Sequence, residues 1–355
     1  MNNNLHILQE EAIELLKKLI ATPSFSKEED RTATIIEKFL SGKEVVVKRV
    51  GNNIFALNKY FNEGRPTLLL NSHHDTVKPN SQYSRDPFSP LVEDGKLFGL
   101  GSNDAAGCLV ALLATFLHFY EKDLAYNIIF AATAEEEISG SGGIEYVLPS
   151  LPIIDCAIVG EPTQMQMAVA ERGLLVLDCI SHGKTGHAAG NEGENAIYKA
   201  IKDIEWFHTY QYPKISDLLG PNKMSVTVIE TNNKAHNVVP GQCIFVVDAR
   251  INELYSFEEV LTVIRENVSC EVKPRSTRLR STSIALDHPL VKAGTKLGRS
   301  YYGSPTTSDK ALMPFPALKM GPGDSARSHT ADEYIYIEEI NKGIELYIQL
   351  LNQLV

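Results

Sequence analysis

The chain contains short apolar runs, each followed by a histidine or an acidic residue. This pattern constrains how the chain can fold more than any other feature of the sequence. The runs TLLLN (67–71), NIIFAAT (127–133) and CAIVG (156–160) are separated by helix-like segments such as Ala105–Tyr120. This alternation predicts an α/β domain with a largely parallel, buried sheet. Ligands bind outside the carboxyl ends of the strands in such sheets, so we expect the polar residues that follow the runs to converge.

The pattern of the sequence changes from about Glu171 onwards. The following residues predict, in order, a strand (172–182), a helix (193–209), two strands (223–231 and 242–251), a helix (256–268) and a strand (271–279). This β-α-β-β-α-β order is typical of a small ferredoxin-like domain. Helices predicted near 289–298 and over 338–354 then return to the sequence pattern of the residues before 171. We therefore predict a discontinuous domain of residues 1–171 and 282–355 with a second domain, 172–281, inserted into it.

Charge and cysteine content exclude several classes of protein. The 34 Lys and Arg against 44 Asp and Glu give a net charge of -10, which also serves solubility and disfavours nucleic acid and anionic membranes as partners. Five scattered cysteines, none in a Cys-x-x-Cys pair, argue against a disulfide framework and thiolate metal sites. The N-terminus does not resemble a signal peptide, and we expect no membrane-spanning run. The sequence thus predicts a cytoplasmic protein.

Histidines and carboxylates occur just beyond the apolar runs. His73 follows TLLLNS, the triplet 135–137 (EEE) follows NIIFAATA, Glu161 follows CAIVG, and His329 follows ALKMGPGDSARS. Taken singly, each has an ordinary structural explanation: Asp104, for example, opens a helical run, where an N-cap is the default role. Two histidines and several carboxylates without thiolates, all at one crevice, instead favour a site for borderline divalent cations such as zinc.

These residues lie in motifs that resemble a known family. The chain is similar to the dizinc deacylases and exopeptidases that include acetylornithine deacetylase, succinyl-diaminopimelate desuccinylase, aminoacylase and carboxypeptidase G, and the acetylornithine deacetylase-like members are the most similar. The matching motifs run in order over nearly the whole chain: SHHDTV (72–77), GLGSNDAAG (99–107), TAEEE (133–137), GEPT (160–163), GKTGHAA (183–189), HNVVPG (236–241), DAR (248–250), and GPG with SHTADEY (321–334). The resemblance implies a zinc-hydrolase catalytic domain and an inserted lid and dimerisation domain.

The resemblance also implies a role for each residue of the site. One ion would be bound by His73 and Glu161 and the other by Glu137 and His329, with Asp104 bridging the two. The ions would be Zn²⁺, or Co²⁺ in its place. The peptide bond after Asp104 would be cis, as in relatives.

Other residues would support or perform the chemistry. Asp75 would orient the imidazole of His73. Glu136 would be the general base that accepts a proton from a bridging water and passes it to the departing amine. The three consecutive glutamates leave an error of one residue open in this assignment. His74 would occupy the variable position beside the ligand and have no role.

Residues of the inserted domain would complete the site. His187 would stabilise the oxyanion of a second subunit's reaction, which implies a homodimer. Arg250, Asn237 and the backbone at Gly323 would hold the α-carboxylate of the substrate, with Arg172 as a further substrate-side residue. The sequence departs from the family at Gly190–Asn191, where a proline is often found, which leaves the conformation of this loop open.

The predicted activity is hydrolysis of the amide bond of an N-acyl amino acid, with N-acetylornithine or N-succinylornithine, as in arginine biosynthesis, the best match. A dipeptidase or exopeptidase with the same metals is the alternative. A metal-containing binding protein without catalysis is disfavoured by the intact Glu136. A dinucleotide-binding protein is disfavoured because Asp104 follows Gly99 and Gly101 where that fingerprint needs its third glycine.

Overall fold

The predicted alternation of helices and strands is present in the structure, a computed structural model that describes residues 2–354. The α-helices are α1 (Asn2–Ile20), α2 (Asp30–Ser41), α3 (Gly107–Phe119), α4 (Ile144–Val147), α5 (Ala196–Thr209), α6 (Phe257–Asn267), α7 (Pro289–Lys296) and α8 (Ile337–Asn352). The strands are β1 (Val47–Val50), β2 (Asn53–Leu57), β3 (Thr67–His73), β4 (Leu91–Glu93), β5 (Lys96–Phe98), β6 (Asn127–Thr133), β7 (Cys156–Val159), β8 (Met167–Glu171), β9 (Gly173–His182), β10 (Gly186–His187), β11 (Lys223–Glu230), β12 (Val238–Val239), β13 (Gln242–Ile251), β14 (Glu271–Pro274), β15 (Thr282–Ser283), β16 (Tyr301–Ser304), β17 (Ala317–Lys319) and β18 (Tyr334–Tyr336).

The chain forms two compact units. The first comprises residues 1–169, 284–302 and 308–355, and the second comprises 170–283 and 303–307. Assignment of 303–307 to the second unit was not anticipated from the sequence, which placed these residues in the discontinuous domain. The reason is local packing: Arg172 donates its backbone N–H to the carbonyl of Ser304 (3.3 Å), and the hydroxyl of Thr307 donates to the carbonyl of Arg172 (3.0 Å).

A mixed sheet forms the centre of the first unit, in the order β1-β2-β6-β3-β7-β17-β8. The middle strands β6, β3, β7 and β17 run parallel, whereas β1, β2 and β8 pair antiparallel with their neighbours. Every residue of β3 and β6 is buried, which explains why these strands read as continuous apolar runs rather than as alternating ones. The α/β prediction is confirmed, with parallel pairing confined to the middle of the sheet.

Helix α3 crosses the interior of the first unit. It packs against α1 and α8, and its apolar residues are buried on all sides, as expected for a helix that is hydrophobic all round. The segment Ser102–Phe119 has the length and apolarity of a membrane span, contrary to the expectation that no such run exists, and 83% of it is buried inside the fold. Its apolar surface is therefore used by the core.

The second unit has the predicted β-α-β-β-α-β order. Its sheet runs β11-β13-β9-β14, with every pair antiparallel. Helix α6 begins at a capping box between Ser256 and Glu259, and α5 begins where Asn195 accepts a hydrogen bond from the N–H of Ile197 (2.9 Å). The strand expected over 271–279 is shorter and ends at Pro274, although Arg275 still donates its N–H to the carbonyl of Val176 on β9 (2.9 Å).

Candidate metal centre

The parallel strands of the first unit bring the predicted ligands to one edge of the sheet. His73 is the last residue of β3, and it lies beside Thr133, the last residue of β6, in the parallel register. Glu136 and Glu137 follow β6 within a few residues, and Glu161 follows β7. Residues separated by up to 88 positions in the sequence thus meet because their strands end together.

Two overlapping groups of side chains converge on His73. In one, His73, Glu136 and Glu161 place one ligand atom each within 4.8 Å of the others, and in the second His73, Asp104 and Glu137 do the same. His329 adjoins the second group, since its Nε2 lies 3.0 Å from Oε2 of Glu137 and 3.6 Å from Oδ2 of Asp104. All five predicted metal ligands and the predicted base are therefore brought together in one cluster, which consists of His73, Asp104, Glu136, Glu137, Glu161 and His329.

His73 places a buried ring nitrogen, Nε2, among the carboxylates. The residue is 1% exposed, and within the described part of the chain its Nε2 makes no hydrogen bond of acceptable geometry. This atom lies 3.4 Å from Oδ1 of Asp104 and 3.8 Å from Oε1 of Glu161. A buried polar atom without a partner is costly, so a nitrogen that faces several carboxylate oxygens fits a divalent cation between them.

Burial and crowding perturb the pKa of most groups in the centre. Burial and the charge of Glu161 raise the pKa of Glu136 well above its usual value, and burial raises the pKa of Glu161 to about 8. The hydrogen bond with Glu137 raises the pKa of His329 to about 9. Burial lowers the pKa of His73, but the adjacent Asp104 and Asp75 outweigh it and hold that pKa well above the usual range. These carboxylates repel one another, and cations would relieve the repulsion.

Asp75 contacts both His73 and the turn that carries Glu136 and Glu137. Its backbone carbonyl lies 3.0 Å from Nδ1 of His73. Its carboxylate accepts the backbone N–H groups of Glu136 and Glu137, each at 3.1 Å, and the hydroxyl of Ser26 at 2.7 Å. The carboxylate thus holds the turn that carries the two glutamates, and its Oδ1 lies 3.4 Å from Nδ1 of His73. That Asp75 orients this imidazole stays a prediction.

Of the three consecutive glutamates, Glu135 is directed elsewhere. Its backbone adopts a left-handed conformation, with φ of 55°, and its carboxylate accepts the N–H of Gly142 (3.2 Å). A Cβ atom on Gly140 would lie 2.0 Å from Oε2 of Glu135, so this carboxylate needs glycine beside it. Glu136 and Glu137 are consequently the two that face the cluster.

His74 has a structural part that the sequence did not indicate. Its ring is 3% exposed, with Nδ1 2.9 Å from the hydroxyl of Thr32 and Nε2 2.9 Å from the carbonyl of Asn52. Burial lowers its pKa. The prediction that it has no role in the chemistry is compatible with these contacts, because both of its nitrogens are engaged away from the cluster.

Two buried carboxylates near the cluster were not predicted from the sequence to have a role. Glu333 accepts backbone N–H groups from the segment that carries Asp104, and Asp309 accepts the hydroxyl of Thr133 (2.7 Å). Burial raises the pKa of Glu333 to about 8 and that of Asp309 to about 6. Glu333 lies in the motif SHTADEY, four residues after His329, and this spacing was the available signal.

The peptide bond between Asp104 and Ala105 is cis, as the resemblance implied. Gly323 lies in a neighbouring loop with φ of 88°, and a Cβ there would lie 2.5 Å from Oδ1 of Asn103. The backbone at Gly323 therefore needs glycine for close approach to the Asp104 segment.

The other predicted site residues belong to the second unit. His187 is exposed on β10, which pairs with β12, and the carbonyl of Asn237 accepts the N–H of Ala188 (2.9 Å), so His187 and Asn237 are neighbours. The guanidinium of Arg250 is held by Asp248, with Nε 2.7 Å from Oδ1. Arg172 donates to the carbonyl of Leu219, and burial and the charge of Arg250 lower its pKa. Their roles toward a substrate stay predictions.

A mixed α/β sheet with imidazole and carboxylate groups at its strand ends is typical of metal-dependent hydrolases. The sequence profile of peptidase family M20/M25/M40 matches residues 69–353, so the chain belongs to this family. The family resemblance inferred from the motifs is confirmed, and so is the prediction of a metal-dependent amidohydrolase.

Curated relatives and solved structures agree with this membership. The succinyl-diaminopimelate desuccinylase of Wolbachia pipientis wMel is 25% identical, over 96% of this chain and 92% of the relative. The aminopeptidase PepT of Bacillus cereus ATCC 10987 has a similar fold, with a TM-score of 0.79, 20% identity and coverage of 98% of both chains. The YXEP protein of Bacillus subtilis, a dinuclear metal-binding peptidase of the M20 family, has a TM-score of 0.73 at 15% identity, over 97% of this chain and 98% of that one.

Proposed function

We propose that this protein removes the acyl group from N-acyl amino acids, using two divalent cations, with zinc as the ion that the ligand types fit best. The observation that carries the proposal is the buried Nε2 of His73, which has no hydrogen-bond partner among residues 2–354 and lies among the carboxylates of Asp104, Glu136 and Glu161. Imidazole and carboxylate ligands without thiolates suit zinc and cobalt. The dinuclear centre of the Bacillus subtilis neighbour supports the number of ions.

Each residue of the cluster takes a part in this proposal. His73 and Glu161 would hold one ion, Glu137 and His329 the other, and Asp104 both. Such ions lower the pKa of water and polarise a carbonyl group. Asp75 keeps His73 and the glutamate turn in place through the contacts described above.

Glu136 is the proposed general base. Its side chain is 14% exposed, and Oε2 lies 3.9 Å from Nε2 of His73. A carboxylate here can accept a proton from the attacking water and then donate it to the nitrogen of the departing amine, which breaks the amide bond. Its raised pKa in the absence of cations suits a group that must carry a proton for part of the cycle. Cations beside it would favour the ionised form that starts the reaction.

Residues of the second unit are proposed to bind substrate and to complete a neighbouring subunit's site. Arg250, Asn237 and Arg172, with the backbone of Gly323, would hold the α-carboxylate, and His187 would stabilise the oxyanion of a partner subunit in a homodimer. The edge strand β11 supports such pairing, since Val228 and Ile229 are 41% and 55% exposed. Nearby helix α5, which packs on β11, exposes Tyr198 and Ile201 by 68% and 50%.

The acyl group and the side chain of the substrate are the finer part of the proposal. N-acetylornithine and N-succinylornithine were predicted from the motifs, whereas the curated relatives are succinyl-diaminopimelate desuccinylases. We infer that a succinylated diamino acid is the preferred substrate, because those relatives match over almost the whole chain. The cytoplasm is the proposed compartment, which the five free cysteines support.

A panel of substrates tests this proposal. Protein reconstituted with zinc should release free amino acid from N-succinyl-diaminopimelate, N-succinylornithine or N-acetylornithine with a higher kcat/KM than from dipeptides. A dipeptidase would need a pocket for a free α-amine and would show the reverse order. Hydrolysis of dipeptides alone would contradict the deacylase and favour the exopeptidase alternative.

A further inference from the structure

Glu333 makes an unusual set of hydrogen bonds. The residue is 2% exposed, and its Oε1 accepts the backbone N–H groups of Asn103 (2.8 Å) and Asp104 (2.9 Å). Its Oε2 accepts the N–H of Gly101 (2.9 Å). One buried carboxylate thus satisfies three backbone donors of the segment that ends at Asp104.

The same residue joins two segments that carry metal ligands. Glu333 is four residues from His329, and its own carbonyl accepts the N–H of Gly99 (2.9 Å). A second link runs in parallel, because the amide of Asn103 donates to the carbonyl of Asp324 (3.0 Å) and accepts its N–H (3.0 Å). The Asp104 segment is therefore fixed from both ends of the loop that holds His329.

We propose that Glu333 is a positioning residue that holds Asp104 and His329 in register for cation binding. The inference rests on the proposed function only in taking these two residues as ligands. Glu333 touches neither the cations nor the substrate in this account. It acts by fixing the conformation of the backbone at Asp104. Residues that contact metal ligands without contacting the metal tune metal affinity in this way.

Glutamine at this position distinguishes geometry from simple packing. Glu333→Gln has nearly the same shape, but one of its two terminal atoms becomes an NH₂ donor. If its oxygen faces Asn103 and Asp104, the NH₂ group opposes the N–H of Gly101, and that donor loses its partner. Glu333→Asp keeps the carboxyl group but is shorter by one methylene, so it tests the reach of the side chain separately from the loss of an acceptor oxygen.

Asp203 in the second unit offers a matched control. It is 5% exposed and its carboxylate accepts the backbone N–H groups of Ser269 (2.9 Å) and Cys270 (3.0 Å). Asp203→Asn also replaces a buried carboxyl group that holds backbone donors by an amide, but in the second unit. A variant that acts only through general stability should resemble this control.

The test is titration of the metal-free, full-length proteins with Co²⁺, followed by visible absorption, together with thermal unfolding of each protein. In Glu333→Gln and Glu333→Asp the Kd for cobalt should rise roughly 10- to 100-fold, with an altered ligand-field spectrum, because outer residues of metal sites have effects of this size. Asp203→Asn should lower the unfolding temperature and leave the cobalt Kd unchanged. Either Glu333 variant alone, if folded, decides the result.

Three results would overturn the inference. Cobalt binding by the folded Glu333 variants could equal that of the wild type, which would make Glu333 a purely structural residue. Equal weakening in Asp203→Asn would mean that lower stability, rather than position, is the cause. Wild-type protein that binds no cobalt would overturn the proposed function, and the inference with it.

Discussion

At the residue scale, His329 and Glu161 hold protons that a cation must displace. The hydrogen bond with Glu137 raises the pKa of His329 to about 9, so its imidazole is charged near neutral pH when no cation is bound. Burial raises the pKa of Glu161 to about 8, so that carboxyl is largely protonated at the same pH. Metal ligands must be a neutral imidazole and an ionised carboxylate, and binding therefore releases protons.

Cation affinity should consequently rise with pH. Below about pH 8 both groups are largely protonated in the free protein. Each proton to be displaced then weakens binding by about tenfold for every unit by which the pH falls. The part of this increase that His329 and Glu161 cause should level off above about pH 9, where both groups are already deprotonated. Calorimetric titration with Zn²⁺ in buffers of different ionisation enthalpy measures the released protons. A Kd that is independent of pH, with no proton release, would contradict this assignment.

Some residues of the site could be predicted from the sequence and others could not. His73 and Glu161 were predictable because each follows an apolar run, and parallel strands end together. The choice among Glu135, Glu136 and Glu137 was not settled by position, because it depends on the left-handed backbone at Glu135 that directs its carboxylate to Gly142. Glu333 could not be assigned a role, since its partners are backbone N–H groups some 230 positions earlier in the chain.

At the element scale, strand β11 has a pattern of exposure that suits a partner. It lies at the edge of the sheet of the second unit, and its last four residues, 227–230, are exposed. Edge strands with exposed apolar side chains pair readily with another chain. The alternating sequence KMSVTVIE predicted the strand itself, but the sequence alone does not reveal that its last residues lack cover on both faces.

A charge at the edge of β11 should disrupt the proposed homodimer. Ile229→Lys places a positive charge at a position that is 55% exposed, so the fold of the monomer should persist while self-association is lost. Light scattering and circular dichroism measure the two effects. Leu91→Lys, at a position 44% exposed in the first unit, is the matched control and should leave the mass unchanged. A wild type that is monomeric, or an Ile229→Lys protein that remains dimeric, would count against pairing through this strand.

At the scale of the whole molecule, the change of periodicity near residue 171 predicted that a second unit interrupts the first. Parallel, fully buried strands and alternating, half-buried strands differ in sequence because only the second kind has one face left exposed. That residues 303–307 belong to the second unit was not predictable. It depends on the hydrogen bonds of Arg172 with Ser304 and Thr307, and these two residues lie far from Arg172 in the chain.

The central claim is that Glu136 performs the proton transfers of a metal-dependent amide hydrolysis in this molecule. The most direct measurement compares turnover of an N-acyl amino acid and metal content between the wild type and Glu136→Gln, both reconstituted with zinc. We expect turnover to fall roughly 10²- to 10⁴-fold, as is typical when a general acid–base group is removed, while both proteins retain two ions per chain. Wild-type turnover by Glu136→Gln at full metal content would contradict the account.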